Sequence, residues 1–204
     1  MTLRLACFLF LFSTKTLLAQ TPDLSLSHSK SMTSARWQQY FSLEYLGFSL
    51  HPGGGSMPQH YPFKVDAKAW LVLQVGIVAN YDVELSKRFF IRSAAGYYSD
   101  CAFLPSGFLH LGIRWTAIRR GRHEFNIGLG PTFLFREDWH QFPEYKDDAI
   151  FGNRVSGKWQ YRFIFYGGEF EYLYRLNDRW QLQYSVVPGY PSVVTSKFGV
   201  RFRL

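Results

Sequence analysis

Three short stretches of this sequence carry side chains suited to acid–base or nucleophilic work. His51 opens the run His51-Pro52-Gly53-Gly54-Gly55, Ser99 is followed directly by Asp100, and Arg136-Glu137-Asp138-Trp139-His140 leads to Pro143. A histidine beside a hydroxyl and a carboxylate can take the hydroxyl proton while the carboxylate orients the ring, as acyl transfer requires. In that chemistry His51 is the general base, Ser99 the polar partner or nucleophile, and Asp100 the orienting carboxylate. Arg136 suits a phosphate, because its planar guanidinium donates two parallel hydrogen bonds. The same residue types also occur on ordinary polar loops, and Arg136 can equally pair with an interior carboxylate. Other chemistries lack their patterns. His60, His110, His123 and His140 have no metal-ligand spacing and no cysteine pair beside them, so neither a metal nor a cofactor is expected. Gly53-Gly54-Gly55 is not followed by the lysine and helix of a phosphate-binding loop.

The elements that must position these groups are written in period-two alternation. Leu71, Leu73, Val75 and Ile77 alternate with Val72, Gln74, Gly76 and Val78, and Leu109, Leu111, Ile113 and Trp115 alternate with His110, Gly112, Arg114 and Thr116. At the C-terminus Phe198, Val200, Phe202 and Leu204 share one face, and Lys197, Gly199, Arg201 and Arg203 the other. Near Gly167-Gly168 the apolar phase switches, which predicts a β-bulge. Eight segments result: about 38–50, 67–85, 89–100, 107–119, 123–137, 159–176, 178–188 and 194–204. Short connections (Ser86-Lys87, Arg120-Gly121-Arg122, Asn177-Asp178) alternate with mostly longer ones, as in an up-and-down barrel with its short turns in the periplasm.

Alternation alone does not separate a soluble sheet from a membrane barrel; the rest of the chain does. Arg4, the apolar run Leu5 to Phe12 and the small Ala19 read as a signal peptide over 1–19, too short to cross a bilayer. Residues 20–37 read as an N-terminal periplasmic segment and 38–204 as the barrel. No apolar run reaches the roughly 18 residues of a spanning helix, while aromatic residues make up 19% of the chain. The expected fold is therefore all-β, an eight-stranded antiparallel transmembrane barrel in a Gram-negative outer membrane. Without Arg4 and Lys15 the formal charge falls from +8 to +6. For an exported monomer this favours anionic lipid headgroups over nucleic acid as partner. Cys101 is the cysteine left after export, so no internal disulfide is available.

The chain resembles the lipid A palmitoyltransferase family, the PagP-like barrels. Trp37-Gln38-Gln39 before the first strand carries the resemblance. So do Phe125-Asn126-Ile127-Gly128-Leu129-Gly130 running into Arg136-Glu137-Asp138-Trp139, Pro188-Gly189 late in the seventh strand, and the closing Arg201-Phe202-Arg203-Leu204. The resemblance implies transfer of an acyl chain from phospholipid to lipid A. It implies His51, Ser99 and Asp100 as catalytic residues, and Arg136, Trp139, Pro188 and Gly189 as substrate-binding ones. One departure stands out: the family has Asp then Ser, and here Ser99 precedes Asp100. Proline removes a ladder donor, so Pro188, and with it Pro131, could open the wall sideways to a lipid chain; Pro188 could equally just end a strand. Gly112, Gly128 and Gly130 on inward positions leave interior room, either for an acyl chain or for Trp70 or Tyr98. Against an open interior, Arg92, Arg114, Arg162, Glu169, Glu171, Arg175 and Arg201 all face inward by alternation and suggest a salt-bridged plug. That plug suits a barrel without catalytic activity, serving surface integrity, binding or adhesion.

Overall fold

A computed structural model describes residues 37–146, 151, 155–189 and 193–204. The signal-peptide reading of 1–19 and the periplasmic segment read over 20–37 lie outside them, apart from Trp37. The strands are β1 (Gln39–Leu50), β2 (Leu71–Ser86), β3 (Phe89–Ser99), β4 (Pro105–Arg120), β5 (His123–Glu137), β6 (Val155–Ser156), β7 (Trp159–Arg175), β8 (Trp180–Gly189) and β9 (Val193–Arg203). Eight of them are staves of one antiparallel sheet; β6 is a two-residue ladder on the start of β7. β1 pairs with β9 and β5 with β7, so the sheet closes on itself. No α-helix occurs among the described residues.

The outward face is apolar where a soluble protein would be polar. Leu73, Val75, Ile77, Leu109, Leu111, Ile113 and Leu129 are each at least half exposed. An apolar surface this continuous needs lipid rather than water against it. Trp37, Trp115 and Trp180 are exposed toward the short-turn end, and Trp70 and Trp159 toward the long-loop end. They mark two interfacial girdles. The β4–β5 turn is tight because Gly121 supplies a positive φ of 59°. β2 begins at Leu71 and not at 67. Asp66 accepts hydrogen bonds from the Lys68 and Leu71 amides and folds that stretch into a turn.

The interior has two tiers. In the half nearer the short turns, Arg92 meets Asp82 at 2.6 Å and Glu171 at 2.5 Å, and Arg201 reaches Asp82 at 2.9 Å. Lys197 bridges Glu44 at 3.0 Å and Glu169 at 2.7 Å, and Arg114 also pairs with Glu169. Buried charges persist only when paired in this way. Arg92, Arg114, Glu169, Glu171 and Arg201 of the plug read from alternation are thus paired, joined by Glu44, Asp82 and Lys197, whereas Arg175 lies exposed at the rim and Arg162 sits in the other half, opposite Leu134. The inward glycines do not leave empty room. The Arg114 guanidinium lies over Gly128 and the His110 ring over Gly112, while Gly130 lets the β4 backbone come close at Leu111. Trp70 is outside the barrel; Tyr98 points inward, over Gly76.

In the other half, Tyr98, Phe108, Leu134, Ile164 and Val187 face inward by register yet remain half-buried. This tier is not fully packed, and it mixes these apolar side chains with the buried Gln74, Ser106, Thr132, Gln160 and Ser196. Its wall is incomplete on one side. The β7–β8 ladder runs only from Phe170 opposite Val186 to Arg175 opposite Gln181. Beyond it Val187, Pro188 and Gly189 pair with β9 alone, and Trp159 to Glu169 of β7 have no β8 partner. Pro188 has no N–H to extend the ladder. The bulge expected at Gly167-Gly168 falls one step earlier. Phe165 and Tyr166 are the extra residues opposite Pro131, which also lacks an N–H, and both rings are exposed.

Candidate functional site

The long loops fold over the mouth at their end of the barrel as a small core. Met57, Tyr61, Ala69, Val72 and Trp139 are buried together, with Cys101, Ala102, Leu104, Phe142 and Tyr145 packed against them. His51 enters this cap directly from β1, its amide donating to the Trp70 carbonyl at 2.7 Å. Ser49, two residues earlier on β1, shares the inward face. The His51 Nε2 lies 3.0 Å from Ser49 Oγ and 3.2 Å from Cys101 Sγ. Ser49 Oγ and Cys101 Sγ are 3.6 Å apart, and Gln74 Nε2 donates to the sulfur at 3.5 Å.

The residues expected from sequence are only partly brought together. His51 is at the centre. Asp100 is buried in the same cap, but its carboxylate accepts from the Trp139 indole at 2.6 Å and from the Ala102 and Leu104 amides at 2.9 Å each. Asp100 therefore fixes the turn that carries Cys101. Ser99 is not at His51: its Oγ lies 3.2 Å from both the amide and the carbonyl of Val75. Arg136 donates to Gln160 Oε1 at 2.8 Å and to the Tyr145 hydroxyl at 2.9 Å, with its guanidinium 4.2 Å from the Trp139 ring centre. Trp139 is the buried centre of the cap, whereas Pro188 and Gly189 sit at the open seam of the wall.

Sequence reasoning missed Cys101 and Ser49. Ser49 was available from its i−2 spacing to His51 on one strand face. Cys101 was signalled only by following Asp100 directly, beyond the end of β3, where alternation gives no direction. Electrostatically the pair rests neutral. Burial pushes the Cys101 thiol up to about 12 and holds the His51 imidazole below its ordinary value. Burial also raises Asp100, against the hydrogen bonds that favour its ionised form. A neutral imidazole beside a thiol is set to accept a proton as the sulfur attacks a carbonyl.

The apolar belt, closed sheet and paired interior define the class: a closed, eight-stranded antiparallel barrel of the outer-membrane type. No protein-family model matches the chain, and no curated protein matches its sequence. Solved structures with a similar fold include the attachment invasion locus protein Ail of Yersinia pestis, in complex with the heparin analogue sucrose octasulfate. It is 12% identical with a TM-score of 0.47, over 82% of this chain and 99% of that one. The N-terminal barrel domain of OprF from Pseudomonas aeruginosa is 10% identical with a TM-score of 0.46, over 83% and 100%. A de novo designed transmembrane β-barrel is 10% identical with a TM-score of 0.45, over 82% and 95%. These likenesses concern the fold.

Proposed function

We propose that this chain is an outer-membrane barrel, its short turns in the periplasm, that transfers an acyl chain between lipids at its outward mouth. The observation that carries the reading is the 3.2 Å contact between Cys101 Sγ and His51 Nε2. The pair stands at the mouth of the barrel above a tier in which the inward apolar side chains Tyr98, Phe108, Leu134, Ile164 and Val187 are only half-buried. In the resemblance to the lipid A palmitoyltransferases, Asp100 followed by Cys101 restores the Asp-then-Ser order, with a thiol in place of the hydroxyl. The place expected for Ser99 passes to Cys101. The sulfur attacks the ester carbonyl of a phospholipid while His51 takes the thiol proton. The lysophospholipid leaves with that proton, and the acyl group stays on sulfur as a thioester. A hydroxyl of the acceptor, lipid A, then attacks the thioester while His51 takes its proton and returns it to sulfur. Arg136 and Trp139 hold the loop that would face the phosphate, and the seam beside Pro188 and Gly189 gives the acyl chain a way in from the membrane.

Mass spectrometry of lipid A from cells with and without the protein tests this. One added acyl chain, lost in His51→Ala and in Cys101→Ala, is the expected result. Unchanged lipid A from cells holding abundant folded barrel overturns it, and loss of a chain points to a deacylase.

A second reading is a non-enzymatic barrel serving surface integrity, binding or adhesion. The closed cap favours it: His51 is only 5% exposed, and the thiol is held protonated by burial. The fold shared with Ail and the OprF barrel requires no catalysis. Unchanged lipid A is the outcome this reading expects.

A further inference from the structure

The end of the barrel opposite this site holds a different feature. A recess of about 320 Å³ opens among the short turns. Its walls carry six cations, Lys87, Arg119, Arg175, Arg179, Arg201 and Arg203, against three carboxylates, Glu84, Glu124 and Asp178. Two of the six are already engaged. Arg201 is paired with Asp82 and lies 4.0 Å from the Tyr40 ring centre, and Arg119 is paired with Glu124 at 2.8 Å. Arg203 is within 3.1 Å of the Gln38 amide oxygen in the orientation that satisfies that side chain. The side chains of Lys87, Arg175 and Arg179 have no carboxylate partner among the described residues. A second hollow of about 180 Å³, lined by Lys87, Arg88, Thr116, Ala117 and Arg119, shares two of these cations and extends the positive surface to the rim.

We propose that this recess binds a phosphate-bearing anion. Three unpaired cations around one concavity raise the local concentration of anions. Two of them are guanidinium forks whose geometry fits the oxygens of a phosphate. Glu84 and Asp178 also line the recess and offset part of that charge, but Lys87, Arg175, Arg179 and Arg203 outnumber them, and a multiply charged phosphate answers the excess. The orientation proposed above puts the recess in the periplasm. The phosphate there is either a soluble one, arriving along the barrel axis, or the headgroup of an anionic phospholipid of the inner leaflet, arriving over the rim at Lys87 and Arg88. Nothing in this site depends on the acyl-transfer chemistry at the other end.

The test uses the full chain refolded in zwitterionic detergent and a triple variant, Lys87→Gln with Arg175→Gln and Arg179→Gln. These three side chains are exposed and form no hydrogen bond or ion pair among the described residues. Retention of the heat-dependent gel shift of a folded barrel checks that both proteins are intact. Titration with inorganic tripolyphosphate, followed by calorimetry, reads the soluble source. Native mass spectrometry after exchange into nanodiscs of phosphatidylglycerol or phosphatidylcholine reads the lipid source. The expectation is saturable binding in one arm, weakened at least tenfold in the variant and by added salt. Tripolyphosphate binding alone assigns a soluble ligand, and selective retention of phosphatidylglycerol assigns the headgroup. Absence of binding in both arms, or binding that the triple variant keeps, overturns the proposal.

Discussion

At the scale of the residue, the outer mouth turns on how burial treats His51 and Cys101. Because the thiol is pushed up to about 12, thiolate is scarce at neutral pH. Maleimide labelling of the native barrel at pH 7.5 should therefore be at least tenfold slower than in the urea-unfolded chain, and equal rates would contradict the buried contact. His51 gives a sign for pH. Its folded value lies below the ordinary 6.5, so between those two values the unfolded chain binds more protons than the folded one. Stability then falls as pH drops below about 6.5, and His51→Gln should flatten that slope in urea titrations. The raised Asp100 acts with the opposite sign at lower pH and does not mimic it. His51 was legible as a chemical residue because a histidine at a strand end facing a glycine loop is conspicuous. Cys101 was not, because its direction is set by the Asp100 turn and not by a strand.

At the scale of the element, all eight staves were legible, most of their ends to within two residues, since the lipid and the lumen impose opposite demands on alternate positions; the start of β2 was read four residues early. What alternation did not show was where pairing stops. The β7–β8 ladder ends at Phe170 and Val186, a consequence of Pro188 and of the bulge opposite Pro131. In β7, amides that point toward β8 between Tyr161 and Glu169 should exchange with solvent deuterium much faster than those between Phe170 and Arg175. Uniform protection along β7 would mean a closed wall. Pro188→Ala restores a donor at the seam and should reduce acyl transfer while leaving the barrel folded. The glycines make a complementary point. They were read as interior space, but Gly130 exists for close strand approach: a Cβ there would run into the Leu111 carbonyl and the Gly112 backbone. Gly130→Val should lose the heat-dependent gel shift of the folded form, whereas Gly53→Ala, whose Cβ meets no heavy atom within 4 Å though strained by its φ of 96°, should retain it.

At the scale of the whole molecule, the two tiers divide stability from function. The lower tier locks β2, β3, β7 and β9 together through Asp82, Arg92, Glu171 and Arg201, leaving the upper tier free to be loosely packed. Alternation predicted the plug, and the places of Glu169, Glu171 and Arg201 along their strands put it toward the short-turn end; which charges pair across the lumen was not legible, because that depends on register between strands. The cost of the arrangement is that each charge depends on its partners. Arg92→Met removes the cation shared by Asp82 and Glu171 and leaves carboxylates buried without their main counter-charge. Breaking a buried pair in this way typically costs about 3–5 kcal/mol, so urea unfolding from phosphatidylcholine vesicles should shift by roughly that amount. The same network should block the lumen, since ions would have to cross a layer in which Glu44, Asp82, Glu169 and Glu171 are each already paired with a base. Planar bilayers holding the wild-type barrel should carry no steady current, and Arg92→Met should add intermittent openings. A stable conductance in the wild type would show that the plug yields, and the barrel would then have to be read as a pore.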